Sequence, residues 1–132
     1  MTNLDRSLYD RVGGEETFQK LVDIFYDQIE QDPILRSMFP DDLEPGKKWQ
    51  RLFLIQYFGG PPVYAEERGH PRLRMRHAPY PIHQDAGERW LKHMLFAIDE
   101  VSIAEPDRTI MREYFQKAAP FMVNHYRPEG DE

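Results

Sequence analysis

The run Gly69-His70-Pro71-Arg72-Leu73-Arg74-Met75-Arg76-His77-Ala78-Pro79-Tyr80-Pro81 holds the residues best equipped for chemistry in this 132-residue chain. It sets the His77 imidazole between a string of arginines and a Pro-rich stop. A neutral imidazole ligates a metal through a ring nitrogen, and guanidinium groups hold anions by paired hydrogen bonds. One imidazole beside several guanidinium groups, in an otherwise apolar helical chain, suits iron porphyrin. That group needs one axial nitrogen and carries two carboxylates. The same residues admit a simpler account, in which Arg72, Arg74 and Arg76 form a solvated face and His77 caps a helix end. The chain has no Cys, which excludes a disulfide framework, thiol catalysis, Cys-ligated zinc and iron–sulfur centres.

The elements that must position such a site read as helices. Gly13-Gly14 ends a short opening helix around Ser7 to Val12. Phe18, Leu21, Val22, Phe25, Tyr26 and Ile29 then fall at helical spacing on one stripe, which ends by Gln31-Asp32-Pro33. Ile34 to Phe39 is a short helical piece stopped by Pro40. A further helix starts near Glu44, with Pro45 in its first turn and Trp49, Leu52, Phe53 and Tyr57 on one face. Gly59-Gly60-Pro61-Pro62 ends it. A loose stretch follows, with short helices around Tyr64–Arg68 and Arg72–His77. Asp85-x-x-Glu88 has the form of a capping box opening a long helix with Trp90, Leu91, Met94, Leu95, Ile98 and Val101. Asp107 opens the last helix, which carries Ile110, Met111, Tyr114, Phe115, Ala118 and Met122. Pro120 is expected to kink that helix or end it early. The fold class is therefore all-α, with residues 1–132 forming one domain. Helix connections in a bundle run about 2–8 residues, and a longer irregular one is usually functional. Here that connection holds His77.

Three polar side chains interrupt apolar faces. Tyr26 lies within its helix's stripe, and a buried phenol needs a partner for its hydroxyl. Gln50 borders the face of Trp49 and Phe53, and a one-residue shift in the Asp41-Asp42-Leu43 turn would move it off a pocket on that side. Trp90 begins the stripe of the long helix and offers an indole N–H. Tyr and Trp are also ordinary core residues, and a border Gln is normally solvated. Of the other histidines, His70 reads as a loop residue and His83 lies just before the long helix. His93 and His125 read as surface or internally satisfied positions.

The net charge of −6 argues against a nucleic-acid partner. The basic cluster from Arg68 to Arg76 runs against that background and suits a small anionic group. No apolar run approaches the roughly 18 residues of a membrane span, and Met1-Thr2-Asn3-Leu4-Asp5 shows no signal-peptide pattern. A cytoplasmic protein without a membrane partner is expected.

With these residues in view, the chain resembles the group II truncated haemoglobins over nearly its whole length. The resemblance is carried by Leu8-Tyr9-Asp10-Arg11-Val12-Gly13-Gly14, Phe25-Tyr26, Met38-Phe39-Pro40, Gln56-Tyr57-Phe58-Gly59-Gly60-Pro61, the Gly69–Pro79 run, and Trp90-Leu91 with Met94. It implies a truncated globin-like two-over-two helical sandwich around haem b (iron protoporphyrin IX), with His77 as the proximal iron ligand. It places Tyr26, Gln50 and Trp90 on the opposite, distal face and Phe39 against the porphyrin. Phe53, Tyr64 and Met75 are implied haem contacts. Arg76 is the first candidate for a propionate, followed by Arg68 and Tyr64. Gly46 falls where many larger globins carry a gating histidine. Several relatives carry Tyr where this chain has Phe39, so more of the distal hydrogen bonding falls on Tyr26, Gln50 and Trp90.

The implied function is binding of O2 and other diatomics such as CO and NO, within the broad class of oxygen binding and transport. A diatomic that takes on partial negative charge is stabilised by phenol, amide and indole donors. At roughly 1 kcal/mol each, three donors slow release by about a hundredfold, which favours retention over shuttling. The alternative is a haem-dependent enzyme, a nitric oxide dioxygenase or peroxidase-like activity, drawing electrons from an external reductase. A haem-free helical interaction protein would explain the helices but not the Gly-Gly breaks, the basic run and the buried donors together.

Overall fold

The computed structural model describes residues 6–72 and 83–122. Met75, Arg76, His77 and His125 lie outside them, as does most of the expected short helix at 72–77. Among the described residues the elements are α1 (Leu8–Arg11), α2 (Glu15–Glu30), α3 (Pro33–Arg36), α4 (Glu44–Tyr57), α5 (Val63–Arg68), α6 (Gln84–Glu100) and α7 (Asp107–Met122). The main packings are α2 on α4, α6 on α7, and α2 on α6, so one helix pair lies over the other. None of these helices is long and apolar enough to cross a membrane.

Local chemistry sets most of the boundaries. Ser7 Oγ accepts from Asp10 N at 3.2 Å and caps α1. Gly13 (φ +115°) and Gly14 (φ +70°) then turn the chain into α2 through backbone angles that side chains disfavour. The α2 stripe behaves as its spacing requires: Phe18, Leu21, Val22, Phe25 and Ile29 are fully buried, and Tyr26 nearly so. Asp32 receives the N–H groups of Ile34 and Leu35 at 3.1 and 3.3 Å, with Pro33 in the first turn of α3.

Three expectations need correction. The buried side chains of α4 are Leu52, Leu54 and Ile55, while Tyr57 is 53 % exposed. The helix is apolar on more than one side, and Trp49, Phe53 and Tyr57 form a second, aromatic row. That row meets Tyr64 (5.9 Å from Trp49, 5.8 Å from Phe53) and Tyr114 (4.2 Å from Tyr57), centroid to centroid. The capping box before α6 does not form. His83 is the N-cap without a side-chain capping hydrogen bond, and Asp85 lies in the first turn, where its charge favours the helix's positive end. Glu88 instead accepts from Gln84 Nε2 at 3.3 Å. Finally, Pro120 does not end α7, which continues to Met122. Its missing N–H falls in the last turn, where little helix remains to be lost.

Two ion pairs fasten α7 to the rest. Arg11 reaches Asp107 at 2.9 Å, and Arg112 reaches Asp99 at 2.8 Å.

Candidate ligand-binding pocket

Four elements bring an aromatic and polar cluster to one place. Phe25 of α2 stands edge-on to Tyr26 (5.4 Å) and to Trp90 of α6 (5.1 Å), and Phe39 stands edge-on to Tyr26 (5.9 Å). Trp90 also meets Phe115 of α7 at 5.9 Å. The structure thus joins Tyr26 to Trp90 through the Phe25 ring, and Phe39 to both through Tyr26.

Helix α4 closes over this cluster at Gly46. A Cβ built there would stand 2.8 Å from Tyr26 Oη, so the phenol oxygen occupies the space a side chain would need. Gln50 lies one turn further along the same face. Its Oε1 is buried and has no hydrogen-bond partner among the described residues. A buried acceptor left this way costs about 1–3 kcal/mol, so packing alone gives no reason to keep it. Burial pushes the Tyr26 hydroxyl up to about 12, which keeps it a protonated donor at neutral pH. It makes no hydrogen bond to another described residue. Lys47, paired with Glu44 at 3.5 Å, carries its ammonium 5.9 Å from the Tyr26 ring centroid.

The crowding at Gly46 is testable. Gly46→Val is expected to turn the Tyr26 ring aside and cost about 1–3 kcal/mol in thermal unfolding. In a Tyr26→Phe background, which lacks the phenol oxygen, the cost should be smaller. Equal costs in both backgrounds would show that Gly46 does not press on that hydroxyl.

A second wall is built from α4 and α5. Tyr64 is buried between Phe53 and Trp49, and Arg68 lies 4.5 Å from the Trp49 ring centroid and 5.8 Å from that of Tyr64. Among the described residues Arg68 has no carboxylate partner, whereas Lys48, also over Trp49 at 4.6 Å, reaches Glu67 at 3.5 Å. The basic run begins with Arg72 in the left-handed region (φ +47°), its N–H donating to His70 Nδ1 at 3.0 Å.

Beside the pocket lies a feature the sequence pattern does not reveal. The buried Asp32 carboxylate takes Arg89 Nε and Nη2 at 2.9 Å each, and His93 Nε2 at 2.8 Å. Arg89's hydrogen bonds, helped by His93 and the Leu35 N–H, outweigh desolvation and hold Asp32 well below the usual carboxylate range. Of the two readings open to His93, surface or internally satisfied, the structure gives the second.

One helix pair packed over another around buried aromatic rings is the architecture of a two-over-two globin. The bacterial-like globin family profile matches residues 7–124. The group 2 truncated hemoglobin YjbI of Bacillus subtilis is 41 % identical over 116 residues, which is 88 % of each chain. The crystal structure of the hemoglobin of Chloroflexus aurantiacus superposes with a TM-score of 0.90. It is 56 % identical and covers 92 % of this chain and 100 % of that one. The group II truncated hemoglobin of Bacillus anthracis superposes with a TM-score of 0.89 at 38 % identity, over 96 % and 98 % of the two chains. The chain belongs to the bacterial-like globins, as a group II truncated haemoglobin with the two-over-two helical sandwich of that group. As a globin it is a haem protein for small diatomic ligands such as O2. The orphaned Gln50 oxygen and the cradle at Gly46 fit such a group, because both leave polar capacity inside an aromatic pocket.

Proposed function

We propose that the haem is haem b, that His77 is its axial ligand, and that Tyr26, Gln50 and Trp90 hydrogen-bond the diatomic and slow its release. The haem iron, when bound, supplies an open coordination position for the diatomic. Phe39, Phe53, Tyr64 and Met75 provide apolar walls for the ring, and Arg68 and Arg76 provide cations for its propionates. Such a protein retains O2 tightly.

The observation that carries this reading is the buried Gln50 oxygen, without a partner among the described residues, one helical turn beyond the Gly46 that the Tyr26 phenol abuts. A side-chain amide carries two N–H donors, so Gln50 can donate to the ligand through Nε2 while the Tyr26 hydroxyl donates its own proton. The phenol, protonated up to about 12, keeps its donor role through the physiological range. Trp90 adds a donor that does not titrate, and Phe25 holds its ring by an edge-on contact.

Each neutral donor contributes on the order of 1 kcal/mol, about a fivefold change in rate if felt in dissociation. O2 release measured by stopped-flow is therefore expected to quicken about fivefold in each of Tyr26→Phe, Gln50→Leu and Trp90→Phe. In the triple variant the gain should be roughly a hundredfold. Unchanged rates in Tyr26→Phe and Trp90→Phe would remove the proposed retention mechanism.

A further inference from the structure

The α2–α6 seam is mostly apolar, with Phe25 and Ile29 on one side and Met94, Ala97 and Ile98 among the buried residues of the other. Apolar contact is non-directional, so it sets how close two helices lie more firmly than how they are registered. One polar fixture interrupts the seam. Asp32, just past the end of α2, is gripped by Arg89 through two nitrogens, a geometry that fixes direction as well as distance. His93, one turn along α6, bonds the same carboxylate. Trp90 follows Arg89 directly, so the two gripped residues bracket it. Its ring stands against Phe25, seven residues before Asp32 and about 10 Å back along α2.

We infer that Asp32 is a positioning residue: through Arg89 and His93 it registers α6 on α2 and thereby holds the Trp90 indole against Phe25. The inference rests on reading Trp90 as a donor to the bound ligand. Asp32 also caps α3, and Asn separates the two roles. An Asn Oδ1 still accepts from the Ile34 and Leu35 N–H groups but loses the charged two-point grip on Arg89. Arg89→Gln breaks the grip from the other side and leaves the α3 cap untouched.

The test uses the haem-loaded, 15N-labelled protein in a Trp49→Phe background, so that one indole N–H remains to be followed. Asp32→Asn, Arg89→Gln and the double variant are each expected to shift the Trp90 indole resonance and the C–O stretch of the ferrous–CO form. O2 release should quicken roughly threefold in each single variant, with little further change in the double, because both substitutions remove one interaction. A lowered melting temperature with the indole resonance and C–O stretch at their wild-type positions would overturn the inference and leave Asp32 a structural clasp. If Trp90→Phe itself alters neither the C–O stretch nor O2 release, the donor reading of Trp90 fails instead. The indole resonance then decides alone whether Asp32 holds the ring.

Discussion

Replacing His77 by alanine is expected to abolish the sharp Soret band of a histidine-ligated ferrous–CO haem and to loosen haem retention severely. The reason is that no described imidazole is placed to substitute for it. His93 is engaged by Asp32 at 2.8 Å and only 12 % of its side chain is exposed, so recruiting it would break the Asp32 cluster. The His70 ring nitrogen already accepts from the Arg72 N–H in an exposed bend, and His83 stands at the N-cap of α6. Tyr26 is a poor ligand at neutral pH because burial keeps its phenol protonated up to about 12. Visible spectra of the ferric, dithionite-reduced and CO-bound forms, taken beside wild type, measure the effect. Free imidazole added to the variant should restore the band by supplying the missing nitrogen. An unchanged spectrum in His77→Ala would assign the iron ligand to another residue.

The second large effect is expected at Asp32. Asp32→Ala removes charge-assisted hydrogen bonds to Arg89 and His93 together with the α3 cap, about 3 kcal/mol in all. A domain of this size should then melt about 10 °C lower. The Arg89 side chain is 41 % exposed and can rehydrate, so the loss should fall short of that for a fully enclosed pair. The pH dependence follows from the direction of the shift. Asp32 is depressed in the folded protein, so its charged form stabilises the fold above the unfolded carboxylate value of roughly 4. That contribution is lost as pH falls through the lower folded value. Calorimetric melting of wild type and Asp32→Asn should therefore show a gap that is constant near neutrality and narrows below about pH 4. A gap independent of pH down to 2 would show that the carboxylate charge is not what stabilises.

The elements of this fold were legible along the chain because their causes act within a turn or two. The stripe from Phe18 to Ile29 needs only helical spacing and apolar side chains to define α2. Gly13-Gly14 and Asp32-Pro33 end and start helices through backbone angles and caps that involve near neighbours. The candidate site was legible as residue types, His77 in its basic run and Tyr26, Gln50 and Trp90 on apolar faces. What joins Tyr26 to Trp90 was not, because Phe25 reads as one more core residue until α6 packs its Trp90 against it.

The limits of local reading have the same physical origin. Asp85-x-x-Glu88 carries the capping pattern, yet α6 starts two residues earlier, at Gln84 behind His83, and the box never forms. The face α4 buries could not be chosen from its spacing, since Trp49-Phe53-Tyr57 and Leu52-Leu54-Ile55 are both apolar. Only docking against α2 and α5 separates core from aromatic wall. Asp32 and Arg89 stand 57 residues apart, and nothing near either announces the other. Sequence by itself determined where helices form and which side chains can do chemistry, because propensity, capping and periodicity are short-range. The tertiary structure alone decided that Gly46 makes room for Tyr26 and that Asp32 grips the turn bearing Trp90. Such contacts depend on the relative registration of whole helices, which short-range energies leave undetermined.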